Sequence, residues 1–227
     1  MIHDDTTKLK QRRTGWRRHL FYRRETVRTT WKLRLALPLL LVLILYVTRG
    51  FWTAKISESL TCQEQIEPSD ALLIENFDPD YLLFERAAAL QNAGIAARIF
   101  VPVEAGRDPT NTVSKGIADV MAGVAHIPSI ELIPFEKAEP ISLNAAKQIR
   151  GFLTRQHVKS VVVVTSDYRS RRSLLVYHAV LSSAGIRVGC APVFGPNPAN
   201  WTGTWHGIQA VALQFVKLQY YRFYVLL

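Results

Sequence analysis

The sequence predicts an α/β fold: an open, mostly parallel sheet with helices on both faces, preceded by one N-terminal transmembrane helix. Two observations carry the sheet. Between residues 69 and 227, short apolar runs alternate with longer stretches of helical spacing, the pattern of strands joined by crossover helices. One run, Ser160–Thr165 (S-V-V-V-V-T), is continuous and β-branched, as a strand buried on both faces requires. A third observation carries the membrane helix: a block of charge is followed at once by a block of uncharged apolar residues.

The charge block is residues 1–34, with eleven Lys/Arg against three acids, whereas the other 193 residues carry 17 bases and 15 acids. Residues 35–48 (L-A-L-P-L-L-L-V-L-I-L-Y-V-T) hold no charge. Fourteen residues cover only about 21 Å of helix, short of a hydrocarbon core of about 30 Å. The flanks extend the run, because Trp31, Phe51 and Trp52 suit the interfaces and Arg34 and Arg49 can snorkel outward. Trp31 to Ala54 is 24 residues, enough to span. Basic residues resist translocation, so 1–34 reads as a cytoplasmic tail, 35–54 as an anchor in a bacterial inner membrane, and the remainder as periplasmic or extracellular. The positive charge then belongs to a topogenic tail, and no nucleic-acid partner is expected.

Other readings of the run stay open. A cleaved signal peptide has a hydrophobic region of about 7–15 residues. A buried core helix is a second rival, although such a helix carries polar positions on one face and this run carries none. The tail, with Trp16, Phe21, Tyr22 and Trp31 among its bases, is either a disordered orientation signal or an amphipathic helix on anionic lipid.

Residues 55–68 are polar, end in Pro68 and read as a linker. The domain at 69–227 is long enough for a proper core. Its expected order is strand Ala71–Glu75, helix Tyr81–Ala93 stopped by Gly94, and strand Ala97–Val103. A helix near Thr112–Ala125 and strand Ile130–Pro134 follow. Then come helix Leu143–Gln156, strand Ser160–Thr165, helix Arg171–Ala184 capped by Gly185, and strand Arg187–Ala191. Gly203–Leu227 is helical and aromatic; its rings either cover the sheet or rest on the membrane surface.

In such a sheet, ligands sit where strand carboxyl ends meet helix N-termini. The informative tip is T-S-D-Y-R-S-R-R, Thr165–Arg172. Thr165, Ser166 and Asp167 can cap the next helix, and Arg169 and Arg172 can grip carboxylate or phosphate with paired hydrogen bonds. Ordinary capping with solvated arginines is the competing reading, and Ser142 and Asn144 are likewise plain cap residues on their own. The sequence holds no G-x-S-x-G, H-E-x-x-H, Walker A or G-x-G-x-x-G. Its six histidines lack metal spacing, so no metal and no cofactor is expected; His206, beside Trp201 and Trp205, is the one placed to line a pocket. Outside the cytoplasm Cys62 and Cys190 could pair as one disulfide tying the linker to the last strand.

The segment V-V-V-V-T-S-D-Y-R-S-R-R resembles the ElyC/SanA/YdcF family, bacterial Rossmann-like domains that commonly follow one membrane helix. Val164, Thr165, Ser166, Tyr168 and Arg172 match its strand and V-T-S-x-Y-H-x-x-R motif. S-L-N-A-A at 142–146 is similar to its T-x-E-N-A helix start, D-A-L-L-I at 70–74 to its first strand, and Trp201–Lys217 to its tail. Departures stand beside these. Glu75-Asn76-Phe77 replaces the family's glycine-rich turn, and V-P-V-E-A-G at 101–106 replaces its S-G-G. Leu143 replaces its Glu, and Arg169 its His.

The resemblance implies a role in envelope biogenesis, in peptidoglycan or surface polysaccharide assembly. With the family's acid–base groups gone, binding is expected over catalysis: Asn144, Thr165, Ser166, Asp167, Arg169 and Arg172 would hold an anionic envelope precursor, with Glu75 and His206 lining the pocket. Two alternatives stay open. One is an enzyme acting on a glycan or lipid-linked precursor through groups such as Asp167, Glu75 and His206. The other is a structural partner of an envelope-assembly or polysaccharide-export complex.

Overall fold

The computed structural model describes residues 30–78, 80–105, 113–195 and 198–225. The basic tail before residue 30, with both readings of it, lies outside them. The chain divides into two units, Met1–Arg49 and Gly50–Leu227.

In the first unit, α1 (Trp31–Val47) exposes every large hydrophobic side chain it carries, from Trp31 to Val47. The uninterrupted span expected over 35–54 is not there. The helix ends at Thr48, whose hydroxyl donates to the Ile44 carbonyl at 2.6 Å, a local bond that competes with the helical ladder. A separate helix, α2 (Arg49–Leu60), follows. No single described helix is long and apolar enough to cross a membrane; α1 and α2 meet that test only together, as a broken pair.

In the second unit the chain alternates as the sequence predicts: β1 (Ala71–Ile74), α3 (Tyr81–Asn92), β2 (Arg98–Glu104), α4 (Val113–Val124), β3 (Glu131–Phe135), α5 (Ile141–Arg155), β4 (Ser160–Ser166), α6 (Asp167–Leu181), β5 (Arg187–Val193) and α7 (Trp205–Val225). The strands form one five-stranded sheet in the order β3-β2-β1-β4-β5, and every pairing is parallel. The fold is Rossmann-like: β2 and β3 are added outward from β1, and the chain then crosses back to place β4 on the other side of β1. That reversal leaves a crevice beyond the carboxyl ends of β1 and β4.

Successive side chains leave a strand on opposite faces, so each strand feeds two cores. Leu73, Phe100, Ile133, Val161 and Val163 pack with α5 and α6 through Ile149, Leu153, Val176 and Tyr177. Leu72, Ile74, Ile99, Val101, Val162 and Val164 pack with α3 and α4 through Leu83, Phe84, Ala118 and Ala122. Polar clamps fix the strand entrances. Asp70 accepts from the Lys159 and Ser160 amides at 2.7 and 2.9 Å, joining the starts of β1 and β4. Arg98 grips Glu131 with two bonds of 2.8 Å, joining β2 to β3.

Two boundaries differ from the sequence reading. The stretch expected as a linker from residue 55 is helical to Leu60, and Leu60 is fully buried against Val211 and Leu218 of α7. Beyond it, Gln65 bridges antiparallel to Cys190. Gly189 permits this crossing, because a Cβ there would lie 2.5 Å from the Gln65 carbonyl oxygen. Helix α6 begins at Asp167 instead of Arg171. Ser166 is extended (φ −66°, ψ 150°) and serves as the N-cap, so the strand turns directly into helix. The residues after it lack apolar periodicity, yet Asp167 and Ser170 are buried. Ser170 Oγ accepts from the Cys62 amide at 2.9 Å.

Candidate functional site

The early start of α6 decides where its bases point. Arg169, Ser173 and Tyr177 recur every fourth residue with Arg172 between, so all four share the helix face turned toward the end of β1. Glu75, the residue after β1, is fully buried there. Its Oε2 accepts from Thr165 Oγ1 at 2.6 Å and from Ser173 Oγ. A carboxylate in such a place needs positive charge nearby, and Arg169 and Arg172 both interact with it electrostatically.

The two arginines are not equally satisfied. The Arg169 guanidinium pairs with Asp78. Burial works against its charge, but Glu75 and Asp78 outweigh that and push its pKa up. Arg172 is 7% exposed. Its Nε, like that of Arg169, has no hydrogen-bond partner, but among the described residues no carboxylate forms an ion pair with it. Its guanidinium lies 5.5 Å from the centroid of the Tyr221 ring. Burial lowers its pKa, the neighbouring Arg169 adds to that, and Glu75 opposes without prevailing. The Tyr177 hydroxyl is buried without a partner, and its pKa is raised well above the ordinary value by burial and then by Glu75.

Above these groups opens a cavity of about 650 Å³, within the usual range of small-ligand sites, about 300–1,000 Å³. Asn76, Phe77 and Asp78 wall it after β1, Phe135 at the end of β3, Arg169 and Arg172 on α6, and Lys217, Tyr220 and Tyr221 on α7. Burial first, then repulsion from Arg172 and Arg169, lowers the Lys217 pKa. An anion entering here would meet preorganised positive charge in surroundings that screen it poorly.

Of the residues expected to bind, Arg169 and Arg172 line the cavity. Thr165 is buried and spends its hydroxyl on Glu75. Ser166 is the N-cap but makes no side-chain cap bond. Asp167 is buried, accepts from the Tyr168 amide at 2.7 Å, and has its pKa raised by burial. The Asn144 amide donates to the carbonyls of Ala138 and Glu139 at 3.2 and 2.8 Å, bracing the loop that carries Glu139 to the rim. Glu75 is buried beside the arginines and is not part of the wall, and His206 is exposed in the first turn of α7. Sequence reasoning missed Asn76, Tyr221 and Lys217. A signal for the last existed: it is one of only two bases in Trp205–Val225, where aromatic residues surround it. Cys62 and Cys190 are bonded to each other. Among the described residues no cluster of His, Cys, Asp or Glu could hold a metal ion.

No family model and no curated protein matches the chain. Among solved structures it is similar to the crystal structure of the aureusimine biosynthetic cluster reductase domain, at 11% identity over 50% of this chain and 39% of that one, with a TM-score of 0.28. A likeness that slight carries no argument about this site, and the chain spans well under half of that neighbour's length.

Proposed function

We propose that the α/β domain binds an anionic ligand in the cavity beyond β1 and β4, that the N-terminal segment holds it at a bacterial inner membrane, and that it serves envelope biogenesis from the outer side of that membrane. Arg172 carries the anion reading. A buried, always-charged side chain with an unmet donor is costly to maintain, and a cavity open above it gives that cost a purpose. The anchor reading is supported by the charge asymmetry of the tail and by the uncovered apolar surface of α1. It is also supported by the Cys62–Cys190 bond, of a kind that oxidising compartments sustain. The envelope role rests on the family resemblance of Val161–Arg172. An enzymatic reading is favoured by no comparable observation, since Glu75 and Asp167 are buried and do not line the cavity.

The test is isothermal titration of the full chain in detergent with inorganic phosphate. Arg172→Met removes one charge-assisted contact, about 1.5–3 kcal/mol, so affinity should fall about 10- to 100-fold. Undiminished binding in the variant would overturn the anion reading. For location, an alkaline phosphatase fused after Leu227 should be active; inactivity with a fluorescent cytoplasm-only fusion would place the domain inside.

A further inference from the structure

Three kinds of unmet group converge on this cavity, and together they describe more than an anion. The first is cationic. Arg169 is held by Asp78, and Lys137 by Glu104 at 3.4 Å, which leaves Arg172 and Lys217 as the cations of the wall without an acidic partner in contact among the described residues. Even with Glu75 offsetting part of the Arg172 charge, two cations without an ion-pair partner suit a phosphate monoester, which carries about −1.5 to −2 at pH 7, better than a single carboxylate. Exposed Glu139 at the rim is too solvated to cancel them.

The second is an acceptor. Asn76 Oδ1 is buried and has no hydrogen-bond partner, as does Glu75 Oε1. The oxygens of a bare oxyanion can satisfy the arginine donors, but they leave an orphaned acceptor as it was; a hydroxyl group meets that need. Buried polar atoms are seldom left unpaired, so an unpaired acceptor on a residue that lines the same cavity as the unpaired cations marks where a ligand's donor belongs. The third is apolar: the rings of Phe77, Phe135, Tyr220 and Tyr221 face the same space, and such rings suit the C–H face of a sugar or a short polyol chain.

From this juxtaposition we infer that the ligand is a phosphate ester bearing hydroxyl groups, a phosphorylated sugar or polyol, with its phosphate on Arg172 and Lys217 and a hydroxyl on Asn76. The inference rests on the anion reading above and narrows it.

The full chain in detergent is titrated with inorganic phosphate, sulfate, glucose 1-phosphate, glucose 6-phosphate, glycerol 3-phosphate, gluconate and glucose. At least one ester should bind tenfold or more tightly than inorganic phosphate, with gluconate and glucose weaker than that ester. In Asn76→Leu the advantage of the ester should disappear while affinity for sulfate, an anion with no proton to donate to Asn76, persists. If the esters and inorganic phosphate bind wild type alike, the hydroxyl inference is overturned and the anion reading stands. Gluconate binding as tightly as the esters would overturn the phosphate assignment alone. If no anion binds, or Arg172→Met binds them all undiminished, both readings fall. The wild-type comparison decides the matter even if the Asn76 variant does not fold.

Discussion

Replacing Arg172 by Met should make the ligand-free protein more stable while removing its anion site. Met keeps most of the length and bulk that pack beside Tyr221 and discards the charge. The burial of Arg172 leaves an unmet donor, which costs about 1–3 kcal/mol. Against this, the variant forfeits the stacking of the guanidinium on Tyr221, about 0.5–1 kcal/mol, and part of the attraction to Glu75. Which side wins is indicated by the direction of the Arg172 pKa. It is lowered, so burial and Arg169 together outweigh Glu75 and the folded state disfavours the charge. A base of lowered pKa costs stability wherever it is protonated, which for arginine is every pH of practical use. A net gain of about 1–2 kcal/mol corresponds to a rise in Tm of about 2–8 °C for a domain of this size. The assay is thermal unfolding of the full chain followed by tryptophan fluorescence, between pH 6 and 8, with and without phosphate. Phosphate should stabilise wild type more than the variant at the same concentration. A fall in Tm on the scale of a core truncation would refute the reasoning, because it would mean that Glu75 already satisfies Arg172.

Two further substitutions probe how the domain is held. The Asp70 pKa is lowered, chiefly by the Lys159 amide, so its contribution is present above the unfolded value near ~3.9 and is lost as pH falls through the folded value. Asp70→Asn should therefore lower Tm at pH 7, with a deficit that shrinks as pH falls below that value; an equal deficit at pH 7 and pH 3 would remove the charge from the explanation. Leu60→Ala should cost about 2–5 kcal/mol, because Leu60 is fully buried against α7. Denaturant unfolding with an unchanged midpoint would show that the helix before residue 61 is not part of the folded unit.

The sheet was legible because its signals are local. Ser160–Ser166 announces a central strand by composition alone, and the glycines at 94 and 185, with φ of 74° and 72°, stop their helices as a left-handed cap does. The ends of elements were less legible where polar residues are buried by partners distant in sequence. Asp167–Ser170 looks like a solvated tip until the residue at 62 is known to donate to Ser170, and Lys55–Leu60 looks like a linker until α7 covers Leu60. The same holds for the cavity. Arg169 and Arg172 were found because they sit in one run of bases. Asn76 and Lys217 come from opposite ends of the domain, and only the crossover that puts β4 beside β1 brings them to one wall.

That crossover also gives the turn after β1 a physical sense. A glycine-rich turn after the first strand lets backbone amides approach an anion directly. Here the turn is Glu75-Asn76-Phe77, and the first of these places a buried negative charge under the site. A phosphate resting on that backbone would meet the carboxylate. The chain instead supplies positive charge from side chains on α6 and α7, and Arg169 faces Glu75 and Asp78. Glu75 thereby holds two arginines in place without saturating them: its Oε2 is committed to Thr165 and Ser173, and its Oε1 bonds to neither guanidinium. Removing that carboxylate would relieve one unmet acceptor and at the same time leave two buried cations facing each other, so the same residue that forbids a backbone anion site makes a side-chain one tenable.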